Sequence, residues 1–272
     1  MQIQLACVQM QSILGNKKEN LEKMAEAIRR VKRLHPDVSL IIFPECAVTG
    51  YECPELYAFV AEPWPGGESL RVLSALAREA DVALVYGFVE SDDQDGQTRF
   101  YNSAALIERD GTPLGRYRKT HLVEGMETGA FDAGDAFPVF DTSFGKVGVM
   151  ICWDCIFPEV ARMLAVNGAE LILVPEAVEK GIEREWDLAL AARALDNVTY
   201  VVSCNHAGTD RSLTYFGRSA VYAPLGETIA QAGEDEQILT ATIDYDLLRT
   251  RREYFYMLRQ RRPSIYRPLT KE

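Results

Sequence analysis

Val38-Ser39-Leu40-Ile41-Ile42-Phe43-Pro44-Glu45 is an apolar run that ends on a proline and a carboxylate, and Glu170-Leu171-Ile172-Leu173-Val174-Pro175-Glu176 repeats it. Neither run alternates polar with apolar residues. Each therefore predicts a strand covered on both faces. A second pair of stretches supports the repeat. Asn102-Ser103-Ala104-Ala105, followed by Pro113-Leu114-Gly115, is echoed by Arg218-Ser219-Ala220-Val221, followed by Pro224-Leu225-Gly226. The duplication implies a pseudo-twofold arrangement of two sheets packed face to face, with helices outside. Both Pro-Glu strand ends then approach one crevice.

Outward from these runs, strands and helices alternate. Residues 3–8, 82–89, 102–107, 147–151, 199–203, 219–222 and 238–243 read as further strands. Asn16 stands as a helix cap with Glu19 three residues on, and Leu21, Met24, Ala25, Ile28 and Val31 follow as an apolar stripe. Leu70, Leu73, Leu76, Ala77 and Ala80 make a second stripe. A helix is expected from just after Cys152 to about Asn167, stopped by Gly168, and another over 185–197. Asp110-Gly111 is a hairpin turn. No low-complexity linker or break in composition appears. The reading is one α/β domain over 1–272, with a C-terminal arm at about 249–272.

The 272 residues carry a net charge of −11, which repels phosphate backbones and argues against a nucleic-acid partner. The arm is locally basic, with Tyr254, Phe255 and Tyr256 among its arginines. It is read as a subunit contact rather than an RNA patch. No apolar run is long enough to span a membrane, and the first residues lack the basic and apolar regions of a signal peptide. Six cysteines are too sparse for a disulfide scaffold. They are expected to be free thiols in a reducing compartment, the cytoplasm by default.

Three segments carry chemistry. Cys152 lies where a strand ends and Pro158 opens a helix, so outward-pointing amides favour a thiolate there. Glu45 adjoins a buried strand. Desolvation makes such a carboxylate a usable proton acceptor, although a glutamate after a strand is ordinarily a solvated loop residue. Lys119, in Tyr117-Arg118-Lys119-Thr120-His121, is either a surface charge or a fixed cation that stabilises an oxyanion. His121 is a tempting thiol partner, but no spacing singles out a papain-like arrangement, and a structural histidine is expected. Cys152-x-x-Cys155 matches a redox or half-zinc pattern. A zinc site needs two further ligands, and none stands at matching spacing, so Cys155 is expected to be a small packed residue.

Glu45, Lys119 and Cys152, in this order and these contexts, resemble the carbon–nitrogen hydrolase (nitrilase) superfamily over nearly the whole chain. Phe43-Pro44-Glu45 with Gly50-Tyr51, Tyr101-Asn102-Ser103-Ala104, Tyr117-Arg118-Lys119, and Ile151-Cys152-Trp153-Asp154-x-x-Phe157-Pro158-Glu159 carry the resemblance. So do Ala192-Arg193-Ala194-Leu195-Asp196-Asn197, Phe216-x-Arg218-Ser219, Pro224-x-Gly226-Glu227 and Arg261-Arg262-Pro263-x-x-Tyr266. It implies a four-layer αββα sandwich and a cysteine hydrolase of linear, non-peptide C–N bonds, without metal or organic cofactor. In that mechanism Cys152 attacks and Glu45 takes and returns the proton. Lys119 and the Trp153 N–H hold the oxyanion, and a second glutamate positions substrate and lysine. Glu124 and Glu127 compete for that last role, and Glu127-x-x-x-Phe131-x-x-Gly134-Asp135 fits better.

Nitrile-acting members usually carry Cys-Trp-Glu, whereas Cys-Trp-Asp here resembles the amidase and carbamoylase branches. The resemblance further implies a homodimer or larger homo-oligomer and a small amide or carbamoyl substrate. Glu176 departs from the small or hydroxylated residue expected at its position. As a carboxylate near the pocket, it is expected to recognise a cationic substrate tail. The competing readings are a nitrile hydrolase, a quiet scaffold, and a redox or zinc protein built on Cys152 and Cys155.

Overall fold

The order of elements begins β1 (Gln2–Gln9), α1 (Lys17–Leu34), β2 (Val38–Ile42), α2 (Tyr57–Val60), β3 (Glu62–Pro63), α3 (Glu68–Ala80), β4 (Ala83–Gln94), β5 (Gln97–Ile107) and β6 (Pro113–Arg118). It continues with β7 (Val139–Thr142), β8 (Gly145–Val149), α4 (Pro158–Val166), β9 (Leu171–Pro175), α5 (Glu183–Asn197), β10 (Tyr200–Cys204), β11 (Ala220–Tyr222), β12 (Thr228–Gln231), β13 (Gln237–Asp244) and α6 (Tyr245–Tyr254). This is a computed structural model, and it describes residues 1–94 and 96–270. Lys271 and Glu272, the end of the expected arm, lie outside the described residues.

One sheet runs β13-β1-β2-β4-β5-β6, with β3 also paired to β4; the other runs β12-β11-β10-β9-β8-β7. The pairing senses show the internal repeat. From β13 they read antiparallel, parallel, parallel, antiparallel, antiparallel. From β7 to β12 they read the same. In this correspondence β2 matches β9, and Glu45 matches Glu176. The duplicated Pro-Glu runs are thus the same strand in two halves of an αββα sandwich.

Side-chain alternation separates the layers. Leu5, Cys7, Leu40, Ile42 and Val85 face Val149, Leu171, Leu173 and Val202 in a core between the sheets. The intervening Ala6, Val8, Ile41 and Leu84 pack instead against Leu21, Met24 and Ile28 of α1 and Leu70 and Leu73 of α3. Strands with both faces buried have no use for polar residues, which is why the two runs are continuously apolar. The sheets come close: the Cys204 thiol donates across the interface to the Ile42 carbonyl at 3.2 Å. Asn16 caps α1 as its spacing predicts, its side chain accepting the Glu19 N–H at 3.3 Å. No helix of the described residues is long and apolar enough to cross a membrane.

The segment after Cys152 differs from the single helix expected there. Cys152–Ile156 is a 3₁₀ helix, and α4 starts afresh at Pro158. Phe157 between them is extended, at φ −89° and ψ 107°. The residue before a proline is pushed out of the α region by the pyrrolidine ring, so the helix is obliged to break there.

Candidate active site

Glu45 sits in the turn that follows β2. The turn lies directly on β4 at Gly87, whose N–H donates to the Pro44 carbonyl at 3.2 Å. A Cβ at residue 87 would fall 2.3 Å from the Cys46 nitrogen and 2.6 Å from the Pro44 carbonyl, so only glycine permits the approach. Lys119 follows the end of β6 and is anchored by its own N–H, which donates to the Asn102 carbonyl at 2.8 Å. Glu127 comes from the loop beyond, where its Oε2 accepts the Val123 N–H at 2.8 Å.

These three side chains are entirely or almost entirely buried, and they meet. The Lys119 Nζ lies 2.8 Å from Glu45 Oε1 and 2.8 Å from Glu127 Oε1. Asn102 Nδ2 donates to the same two oxygens, at 2.6 and 2.9 Å. One cation and one amide therefore hold two carboxylates together. Glu45 Oε2 is buried with no partner. Glu124, the alternative to Glu127, is exposed.

Cys152 occupies a sharp elbow with φ +47°, a left-handed conformation strained for a non-glycine residue. Residue Cys152 is 5% exposed, where Glu45 and Lys119 have no exposure. Burial pushes the thiol pKa up, and Glu45 pushes it further, while Lys119 and the Ala177 N–H favour the thiolate. Burial also raises the Glu45 carboxyl above its ordinary value, against the attraction of Lys119 and with the repulsion of Glu127. Burial alone would lower the Lys119 pKa. Glu45, Cys152 and Glu127 overcome it and hold the amine well above its usual range.

Asp154 fixes the elbow to the lysine-bearing segment. Its carboxyl accepts from Tyr117 Oη at 2.7 Å, Thr120 Oγ1 at 2.9 Å, and the His121 N–H, His121 Nδ1 and Ile151 N–H at 3.0 Å each. His121 serves here, stacked on Phe157 at 3.9 Å. Cys155 is fully buried, and burial raises its pKa well above the thiol range. Among the described residues no cluster of three His, Cys, Asp or Glu side chains is arranged to hold a metal ion.

Glu176 is the site residue whose surroundings differ most from expectation. Its carbonyl is joined to the Glu45 N–H at 3.4 Å, so the two Pro-Glu ends do approach each other. Its carboxyl, however, is turned inside. It is 1% exposed, Oε1 accepts the Trp186 indole N–H at 2.8 Å, and Ser203 supplies a second hydrogen bond. Burial raises its pKa well above the carboxylate range, with Glu45 and Asp187 adding to the effect. Enclosure and a raised pKa both work against presenting an anion to a substrate tail.

Four further residues belong to this arrangement. Asn102 and Asp154 stand inside the motifs that flank Lys119 and Cys152, which was their signal. Trp186 and His206 gave none. The His206 ring lies between the carbonyls of Met10 (Nδ1, 3.0 Å) and Glu45 (Nε2, 2.6 Å), against the turn that carries Glu45. Trp153 is half-buried and stacks on Trp186, with ring centroids 6.3 Å apart and planes at 24°.

The carbon-nitrogen hydrolase family model matches residues 4–253. The chain belongs to that family. A probable nitrilase of Schizosaccharomyces pombe is 39% identical over 271 residues, covering 99% of both chains. An omega-amidase of Xenopus laevis is 35% identical, covering 92% of each. The crystal structure of a carbon–nitrogen hydrolase from Helicobacter pylori superimposes with a TM-score of 0.90 at 30% identity, covering 100% of this chain and 99% of that one. The chain is thus a cysteine-dependent hydrolase of non-peptide carbon–nitrogen bonds.

Proposed function

We propose that the chain hydrolyses small linear amides through a thioester on Cys152. The observation that carries this reading is the division of labour on Glu45: Oε1 is held by Lys119 and Asn102, and Oε2 is left free in a buried site. The free oxygen takes the Cys152 proton as sulfur attacks the amide carbon. The carbonyl π electrons move to oxygen, where the Lys119 ammonium and the Trp153 N–H hold the negative charge. Collapse of the tetrahedral intermediate breaks the C–N bond, and Glu45 hands the proton to the departing nitrogen. Ammonia or an amine leaves, and the acyl group remains on sulfur. Water then gives a proton to Glu45, attacks the thioester and releases the acid, and the proton returns to the thiolate. Glu127 keeps Lys119 aimed throughout.

Asp154, where nitrile-acting members of the family usually carry glutamate, supports an amide over a nitrile. The similarity to an omega-amidase points the same way. The test is ammonia release from a panel of linear amides, carbamoyl amines and nitriles by wild type, Cys152→Ala and Cys155→Ala. Turnover of an amide, lost only in Cys152→Ala, supports the reading. Equal loss in both variants, or turnover of nitriles alone, overturns it.

We also infer that the protein works as a homodimer or larger homo-oligomer. Met163 and Val166 on α4, Leu188 and Leu195 on α5, and Tyr254 and Leu269 in the arm are large exposed apolar residues. A monomeric mass in sedimentation equilibrium would remove this inference. Six free, buried cysteines support a reducing compartment such as the cytoplasm.

A further inference from the structure

Glu176 stands at a junction. Its carbonyl takes the N–H of Glu45, and the next residue's N–H, that of Ala177, reaches the Cys152 thiol. Its carboxyl oxygen Oε1 holds the Trp186 indole, and the Trp186 ring lies against Trp153. Trp153 is the residue whose N–H is assigned to the oxyanion. Trp186 is itself almost wholly enclosed at the start of α5, with its N–H donating to the Ile182 carbonyl at 2.9 Å.

We propose that Glu176 is a positioning residue for the hydrolysis, acting through the Trp186 indole and its stack on Trp153 to aim the Cys152–Trp153 peptide at the oxyanion. The inference rests on the function proposed above. It replaces the substrate-recognition role with an internal one.

The physical argument has three parts. The elbow at Cys152 is held at φ +47°, so it needs neighbours that over-determine it. Asp154 secures the side toward Lys119. On the opposite side Trp153 meets an aromatic ring. A stacked ring fixes a plane only if it is itself fixed, and a buried indole N–H without an acceptor would leave that ring free to turn or leave the group unsatisfied. The Glu176 carboxyl supplies the acceptor. Burial raises its pKa and so favours the neutral form, which still accepts the indole N–H through its oxygen.

A neutral acid has a close mimic in glutamine, and this sets the experiment. Ammonia release is measured as a function of amide concentration for Glu176→Leu, Glu176→Gln and Trp186→Phe, with thermal midpoints taken alongside. Leucine removes the acceptor, and phenylalanine keeps a ring but removes the donor. Each is expected to lower kcat by about 10- to 100-fold, the scale of a small misplacement at a reacting centre, and to leave KM within a few fold. Glu176→Gln is expected to recover most of the kcat lost in Glu176→Leu. The double variant Glu176→Leu/Trp186→Phe is expected to lose no more than the worse single, because both break one interaction.

A Glu176→Gln enzyme as slow as Glu176→Leu overturns the proposal. So does an effect confined to KM for a cationic carbamoyl amine, which would return Glu176 to substrate binding. If Glu176→Leu does not fold, Trp186→Phe decides: unchanged kcat overturns the relay. Activity lost in Cys152→Ala but unchanged in Glu176→Leu removes the relay alone, whereas full activity in Cys152→Ala removes the proposed function beneath it.

Discussion

Glu45 and Glu176 end the same strand in the two halves of the sandwich, yet they are different chemical groups. Glu45 meets Lys119 and Asn102, keeps one oxygen without a partner, and acts electrostatically on the Cys152 thiol. Glu176 meets an indole and a hydroxyl. Both are buried, and burial raises the pKa of both. The difference lies in what opposes it. Lysine opposes it at Glu45, so the group can still ionise and accept a proton; nothing of that strength opposes it at Glu176. In the proposed mechanism one carboxyl serves as the base, while burial favours the neutral form of its counterpart. The lesson is that position in a repeat sets where a side chain lies, and its partners set what it does.

The largest test of this contrast is Glu45→Gln. A base at Glu45 makes the variant lose about 10²–10⁴-fold in kcat/KM for an amide. The pH profile supplies the sign. Glu45 must be ionised to take the thiol proton, and burial raises its pKa, so activity should fall as pH drops through a value above the ordinary carboxylate range. An acid limb at the ordinary value would show that Glu45 is not desolvated in the working enzyme.

Lys119→Met strikes at what separates the two glutamates. Removing the cation leaves Glu45 and Glu127 face to face in a buried site. The expected loss in kcat is about 10²–10³-fold, from the missing oxyanion donor. Breaking a buried pair by deleting one partner also costs about 3–5 kcal/mol of stability. The structure adds a direction: without Lys119, Glu45 approaches the neutral state of Glu176, so chemical denaturation at pH 6 and pH 9 should show a deficit that is larger at pH 9. A uniform deficit would mean that the carboxylates are hydrated once the amine is gone.

Much of this site was legible because it is local. Phe43-Pro44-Glu45 and Ile151-Cys152-Trp153-Asp154 each put a reactive group directly after a buried strand, and apolar runs announce such strands. Strands β6, β7 and β12 escaped because they are short or largely exposed. In β6 only Tyr117 is fully buried, so no hydrophobic pattern marks it. Helix α6 escaped for the same reason, with only Tyr245 and Leu248 buried. The environment of Glu176 was illegible for another reason. Trp186 is ten residues away and reaches it only because α5 folds back over the second sheet. No pattern in the sequence says whether a carboxylate at a strand end will face a lysine or an indole.

Asp154→Asn gives a smaller effect and tests the other support of the elbow. Five donors converge on Asp154, and an amide nitrogen can accept none of them. The expected destabilisation is about 1–3 kcal/mol, read from urea unfolding, with kcat falling more than KM rises. A stability loss without any change in kcat would separate this network from catalysis and leave the Trp153 side as the support that matters.

The smallest effect isolates Glu176 itself. Its folded pKa is raised, so relative to the unfolded chain it binds a proton more tightly. The stability this gives is fully present at low pH, below the carboxyl's unfolded pKa. It is lost as pH rises toward the folded value, with a slope of at most about 1.4 kcal/mol per pH unit for one proton. Glu176→Gln has the same shape and no proton to lose. Relative to wild type, the variant should therefore gain stability steadily as pH rises above the ordinary carboxylate range, and the gain should stop once the folded pKa is passed. Thermal or urea midpoints across pH 4 to 9 measure that difference directly. Curves that stay parallel would mean that Glu176 is ionised in the folded protein as in the unfolded one, and the contrast with Glu45 would then rest on geometry alone.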